Sequence, residues 1–187
     1  MLFRLILKLL ILLLVLIHSS IVFALGGKGP LAMNKDGLKN KTPTYLEHIG
    51  IEENLGGQLD LSLPFIDDHG KQIVLGSYFT DQPVFMVINY YNCPTLCNTH
   101  LNQLMNRLRT FEWVIGDKFK FVVVSINPDE TSEDAAKKKQ ALLDSYGNKS
   151  SKDNWHFLTG EQESIDKIAQ QIGFKYAWDP VMKQWAH

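Results

Sequence analysis

The stretch Val84-Phe85-Met86-Val87-Ile88-Asn89-Tyr90-Tyr91-Asn92-Cys93-Pro94-Thr95-Leu96-Cys97-Asn98-Thr99-His100-Leu101 decides how this chain is read. The apolar run from Val84 to Ile88 has the continuous character of a strand buried on both faces. Downstream, Leu101, Leu104, Met105 and Leu108 recur at helical spacing. Between strand and helix lie Cys93 and Cys97, the only two cysteines in the chain. A helix opening at Pro94 predicts the two sulfurs at i and i+4 on one face, since proline is tolerated at the first helical position, where its missing donor would be unpaired anyway. Two thiolates so placed can close into a disulfide or hold one soft metal ion. The positive end of the helix is expected to lower their pKa and favour both outcomes.

A purely structural disulfide is the weaker reading. A bridge this short removes roughly 2 kcal/mol of unfolded-state entropy, against about 4.7 for a hundred-residue loop. Two reduced cysteines packing as small hydrophobes would not both be wanted at an exposed helix start. The three-residue gap also differs from the two-residue gap of the thioredoxin motif, and shifts the pair from a dedicated disulfide exchanger towards a chelate.

The 187 residues, 45% hydrophobic and 21% charged, suffice for one domain with its own core. A formal charge of -1 gives no global basic field for nucleic acid or an anionic membrane surface. The N-terminus sets Arg4 and Lys8 before a short apolar run, 9–17, and ends it with small residues up to Ala24. Residues 1–24 therefore read as a secretory signal cleaved after Ala24, or as an uncleaved membrane anchor. Either places the remainder on the exported side, periplasmic or its equivalent on an energy-transducing membrane, where thiols meet oxidants.

Residues 25–57, rich in Gly, Lys and Asn, read as an extended lead-in arm with a short helical turn near 45–48. From residue 58 the pattern is that of a domain. Leu59, Leu61 and Leu63 alternate, Asp67-Asp68-His69-Gly70 makes a turn, and 72–75 returns, which predicts a hairpin. Turn chemistry explains Asp67, Asp68 and His69 better than metal ligation does. A second central strand is expected over 119–126 and another over 155–158. Helices are expected over 134–146, with 137–139 as a solvated lysine face, and over 163–172. Alternating strands and helices imply an α/β domain with a mainly parallel sheet covered on both faces. Strand, cysteine loop and helix follow in the order of a thioredoxin-type site.

Two thiolates suffice for copper(I), whereas an added nitrogen would let the pocket hold copper(II) too. By spacing alone His100 is the first candidate, three residues after Cys97. His187 is remote, following Lys183-Gln184-Trp185-Ala186.

The segments Leu46-Glu47-His48-Ile49-Gly50-Ile51, Asn89-Tyr90-Tyr91-Asn92-Cys93-Pro94-Thr95-Leu96-Cys97, Val124-Ser125-Ile126-Asn127-Pro128-Asp129-Glu130-Thr131, Trp155-His156-Phe157-Leu158-Thr159-Gly160 and Gly173-Phe174-Lys175-Tyr176 succeed one another as in the SCO/SenC family. The chain resembles the copper-binding accessory proteins of cytochrome c oxidase assembly. That resemblance implies a thioredoxin-like fold with additions over 58–187, and a copper site of two cysteines and one remote histidine. It assigns the metal to Cys93, Cys97 and His187, displacing His100. It implies a metallochaperone for the dinuclear copper centre of cytochrome c oxidase subunit II. The alternative is a thiol-disulfide reductase that uses Cys93 and Cys97 as a redox pair on that subunit's cysteines. Asn127 departs from the family, where an acidic residue commonly precedes the proline. Family members also continue past the histidine loop into a further strand and helix, so a sequence stopping at His187 is expected to be a fragment or an incomplete domain.

Overall fold

β-Branched and aromatic residues concentrate in Lys120–Ser125, and this strand becomes the centre of the molecule. It pairs in parallel with Val84–Asn89 on one side, Val87 opposite Val123. On its other side it pairs in parallel with Trp155–Leu158, Val123 opposite Phe157. The computed structural model describes residues 44–94, 96–147 and 149–187, all within one compact unit. In chain order its strands are β1 (Gly50–Ile51), β2 (Pro64–Ile66), β3 (Gln72–Val74), β4 (Val84–Asn89), β5 (Lys120–Ser125), β6 (Trp155–Leu158), β7 (Phe174–Lys175), β8 (Ala177–Asp179) and β9 (Gln184–Ala186). The helices are α1 (Cys97–Leu108), α2 (Ser132–Tyr146) and α3 (Gln162–Ile172). The signal or anchor expected over 1–24, and the arm up to residue 43, lie outside the described residues. Among the described residues no helix is long and apolar enough to cross a membrane.

Alternation along β5 divides the core in two. Phe121 and Val123 face a cluster with Leu101, Met105 and Leu108 of α1, Leu142 and Tyr146 of α2, and the rings of Trp155 and Phe157. Val122 and Val124 face Leu63, Phe65, Leu75 and Tyr78 from the β2–β3 region, with Ile165 and Ile168 of α3. Residues Phe121 to Val124 are fully buried, as the parallel, doubly covered sheet requires.

Smaller antiparallel ribbons surround this core. The β2–β3 hairpin sets Phe65 opposite Ile73 and is tied to the end of β6 by an Ile66–Thr159 bridge. The alternating leucines at 59, 61 and 63 precede that hairpin and do not form its first strand. Pro64 begins it, and Leu63 and Leu61 instead accept backbone hydrogen bonds from Leu75 and Gly76. The helical turn expected near 45–48 is a short 3-10 turn at Thr44–Leu46. After α3 the chain pairs β7 with β1, then folds β8 against β9 with Trp178 opposite Trp185. Asp179 Oδ1 closes this last turn, accepting from the backbone of Val181 at 2.8 Å and Met182 at 2.9 Å.

The lysine face of α2 is less solvated than its sequence suggests. Lys139 forms an ion pair with Asp68 at 2.8 Å, the two side chains being 16% and 5% exposed. Lys138 turns its ammonium to Asn98 on α1. Asp67 is the turn residue proper, its Oδ1 accepting from the backbone of His69 and of Lys71, both at 2.9 Å.

Candidate metal centre

The cysteine segment leaves β4 and is fastened before it reaches Cys93. Tyr91 points into the core, where its hydroxyl hydrogen is shared between the carbonyls of Val123 at 3.0 Å and Leu158 at 2.8 Å. Glu130, buried after β5, accepts the backbone N–H of Tyr91 at 3.0 Å and of Asn92 at 2.6 Å. Cys93 N–H donates to the carbonyl of Tyr90 at 3.2 Å, so Cys93 sits in a turn. Helix α1 begins at Cys97 and not at Pro94. Cys97 is thus its first residue, and Cys93 precedes it.

Both cysteines are buried, 5% and 3% exposed, and no disulfide joins them. The helix start does not lower the Cys97 pKa. Burial pushes it up to about 12, helped by the adjacent Cys93 thiol, while Lys138 opposes the shift. Burial in turn lowers the Lys138 pKa, against the attraction of Glu130 and the two sulfurs.

His187 arrives from the other end of the chain. The β8–β9 hairpin carries it back to α1 and places Nε2 2.8 Å from Cys97 Sγ. Its Nδ1 lies 3.1 Å from the carbonyl oxygen of Trp185. A carbonyl can only accept, so Nδ1 carries the hydrogen and the Nε2 lone pair faces the Cys97 thiol. The ligand atoms of Cys93, Cys97 and His187 all lie within 4.8 Å of one another. His100, first choice by spacing, is exposed on α1 and is not one of this group. It shares with Leu96, Trp185 and His187 the wall of an adjoining groove of about 410 Å³. A larger cavity, about 510 Å³ between His48 and Tyr176, is lined by none of the three.

Two buried thiols and an imidazole with a directed lone pair form a donor set suited to a soft metal ion. Lys138, Glu130, Asn127 and Trp185 support the group, and none stood out in the sequence as doing so. Lys138 looked like part of a solvated face, and Asn127 was notable only as a departure from a family pattern.

The SCO1/SenC family model matches residues 54–185. The chain belongs to the SCO1/SenC family. Cys93 and Cys97 lie inside the matched span and His187 lies two residues beyond it. No curated protein matches the chain. Among solved structures, it is similar to a SCO1/SenC family lipoprotein from Bacillus anthracis, at 21% identity over 74% of this chain and 78% of that one, with a TM-score of 0.50. It is also similar to apo Sco1 from Thermus thermophilus, at 18% identity over 73% and 74% of the two chains, TM-score 0.50. A structure of Arabidopsis thaliana ScoI with copper bound shares 18% identity over 62% and 66%, TM-score 0.49. The fold of this SCO1/SenC chain is thioredoxin-like, with α1 rising from the cysteine turn after β4.

Proposed function

We propose that this SCO1/SenC protein is a copper metallochaperone that holds the ion on Cys93, Cys97 and His187. The observation that carries the reading is the convergence of those two thiols and one imidazole within 4.8 Å. Thiolates select copper(I), and the imidazole extends the set to copper(II). A structural zinc site would call for a fourth ligand, which this group does not supply. Copper enters as cargo by displacing the protons on the sulfurs. Delivery runs by stepwise exchange of thiolates with the recipient, which family membership suggests is the dinuclear copper centre of cytochrome c oxidase subunit II. Residues 1–24 would direct or tether the domain on the exported side.

The test is copper(I) titration of the reduced and the oxidised protein. One equivalent binds the reduced form tightly and none binds the disulfide form. Cys93→Ser and Cys97→Ser each abolish stable binding, and unchanged stoichiometry in both variants would sink the metal reading.

A second reading is favoured by the proximity of the two thiols. The pair could reduce a disulfide in the recipient, one sulfur attacking and the other resolving the mixed disulfide, so that two thiols become one disulfide as the target gains two. Reduction of a subunit-II peptide disulfide by metal-free protein, with loss of that activity in both serine variants, would establish it.

A further inference from the structure

Cys97 and His187 are separated by 90 residues of sequence yet meet at 2.8 Å. Both arms of the site are fastened to one segment, 125–130, made of the last residue of β5 and the loop that follows it. On one arm, Glu130 accepts the two peptide N–H groups just before Cys93. On the other, Asn127 Oδ1 accepts the indole N–H of Trp185 at 3.1 Å, and the Trp185 carbonyl accepts Nδ1–H of His187 at 3.1 Å. Ser125 joins the two halves of the segment. Its hydroxyl donates to Glu130 Oε2 and accepts the backbone N–H of Asn127 at 3.0 Å. The N–H of Asp129 also reaches Asn127 Oδ1 at 3.1 Å, so two donors fix the amide oxygen in place.

We propose that Asn127 is a positioning residue for His187, acting through the Trp185 indole, and that the 125–130 segment registers the histidine arm against the cysteine arm. The proposal rests on reading Cys93, Cys97 and His187 as a copper site. The Trp185–Asn127 bond ties the β8–β9 hairpin directly to the loop. Trp185 otherwise meets the rings of Tyr176 at 5.2 Å and Trp178 at 5.4 Å, and such ring contacts hold a hairpin near the sheet without fixing its register. A hydrogen bond of defined direction supplies the register. An oxygen acceptor is required here, and an acidic side chain at position 127 would serve equally. That gives the departure from the family pattern a physical meaning, because Asn and Asp share the one atom the indole uses.

The test compares Asn127→Ala, Asn127→Asp and Trp185→Phe in the full chain. In metal-free protein, NMR reads the exchange protection of the Trp185 indole N–H and the nuclear Overhauser contact between the His187 ring and Cys97. Asn127→Ala loses both and Asn127→Asp keeps both. Trp185→Phe, which retains a ring but has no N–H, loses the His187 contact. With copper, Asn127→Ala weakens copper(II) binding about 10–100-fold, as loss of an outer-sphere partner does, and loses the histidine nitrogen hyperfine signal. Copper(I) affinity stays within about twofold, being set by the sulfurs. Glu130→Gln, which turns an amide donor onto backbone donors, instead weakens both oxidation states and leaves the indole protected. An Asn127→Ala protein that keeps the His187–Cys97 contact overturns the proposal. A wild-type protein that binds no copper but shows the expected metal-free pattern overturns the copper reading alone and supports the positioning role.

Discussion

At Cys97 two physical effects oppose each other, and their sizes decide the outcome. Its position as the first residue of α1 favours thiolate by about 0.3–1 kcal/mol. Burial and the Cys93 thiol raise its pKa from 9.0 to about 12, a penalty on the charged form of order 4 kcal/mol. The thiol is therefore protonated across the physiological range, and a bound metal must displace its proton. Apparent copper(I) affinity is expected to rise about tenfold per pH unit from pH 6 to 9 for each proton displaced. Competition with a chelator of known protonation constants measures this, and a flat profile would mean that Cys97 is not a ligand. His156 offers a second titration, unconnected with metal. It stacks on Tyr78 at 4.0 Å, and burial, reinforced by Lys139, lowers its pKa to about 4. The unfolded chain takes up the proton first as pH falls, so stability is full above about pH 6.5 and declines between 6.5 and 4. Allowing for partial solvent exposure, the loss is about 1–2 kcal/mol. In urea unfolding, His156→Phe should flatten that decline, whereas an unchanged acid slope would locate it in other groups.

Among the elements, the ribbons outside the sheet are held by exacting local contacts. Gly173 ends α3 in a left-handed conformation, φ 73; its N–H closes the helix onto the Gln170 carbonyl, and its own carbonyl accepts the N–H of Glu52 just after β1 at 2.8 Å. A Cβ at that position would fall 1.6 Å from the Glu52 carbonyl oxygen, which belongs to backbone and cannot swing away. Gly173→Ala therefore carries about 1–3 kcal/mol of left-handed strain and also forces the segment after β1 off β7. Limited proteolysis should then cut within residues 50–57 much faster than in the wild type, and an unaltered digestion rate would show that β1 docks by other means. Helix α2, by contrast, is specified locally. Thr131 and Asp134 form a reciprocal capping box at its start, and Gly147 closes it in a left-handed cap.

For the whole molecule, copper should couple folding to binding unequally in its two oxidation states. Cys93 and Cys97 are close in sequence, so an unfolded chain can still chelate copper(I) with both sulfurs, and binding to the unfolded state cancels stabilisation. The bond to His187 spans 90 residues and exists only when the β8–β9 hairpin is docked. Copper(I) at saturation is thus expected to raise Tm little and copper(II) more. His187→Ala should erase the difference. Scanning calorimetry of the reduced protein with each ion measures it, and equal shifts in the two states would argue against a histidine-dependent copper(II) site.

The apolar run of β4, the β-branched run of β5 and the 3.6-residue periodicity of the helices are local properties, and they sufficed to predict the parallel sheet and the helices, although α1 opens at Cys97 and not at Pro94. The cysteine pair was legible because chemistry and proximity in sequence coincide there. The third member of the group was not legible from spacing. Helical periodicity points to His100, which α1 turns to solvent, whereas His187 was reached only through family resemblance. Its approach to Cys97 depends on α3, β7 and a hairpin folding back across the molecule, and no local pattern encodes that. Burial likewise reversed the expected sign of the Cys97 pKa shift, since desolvation is a property of the assembled core. Sequence determined which groups could bind a soft metal. Tertiary structure decided which of them meet and with what proton between them, because distance, burial and hydrogen-bond direction exist only once separated segments have packed.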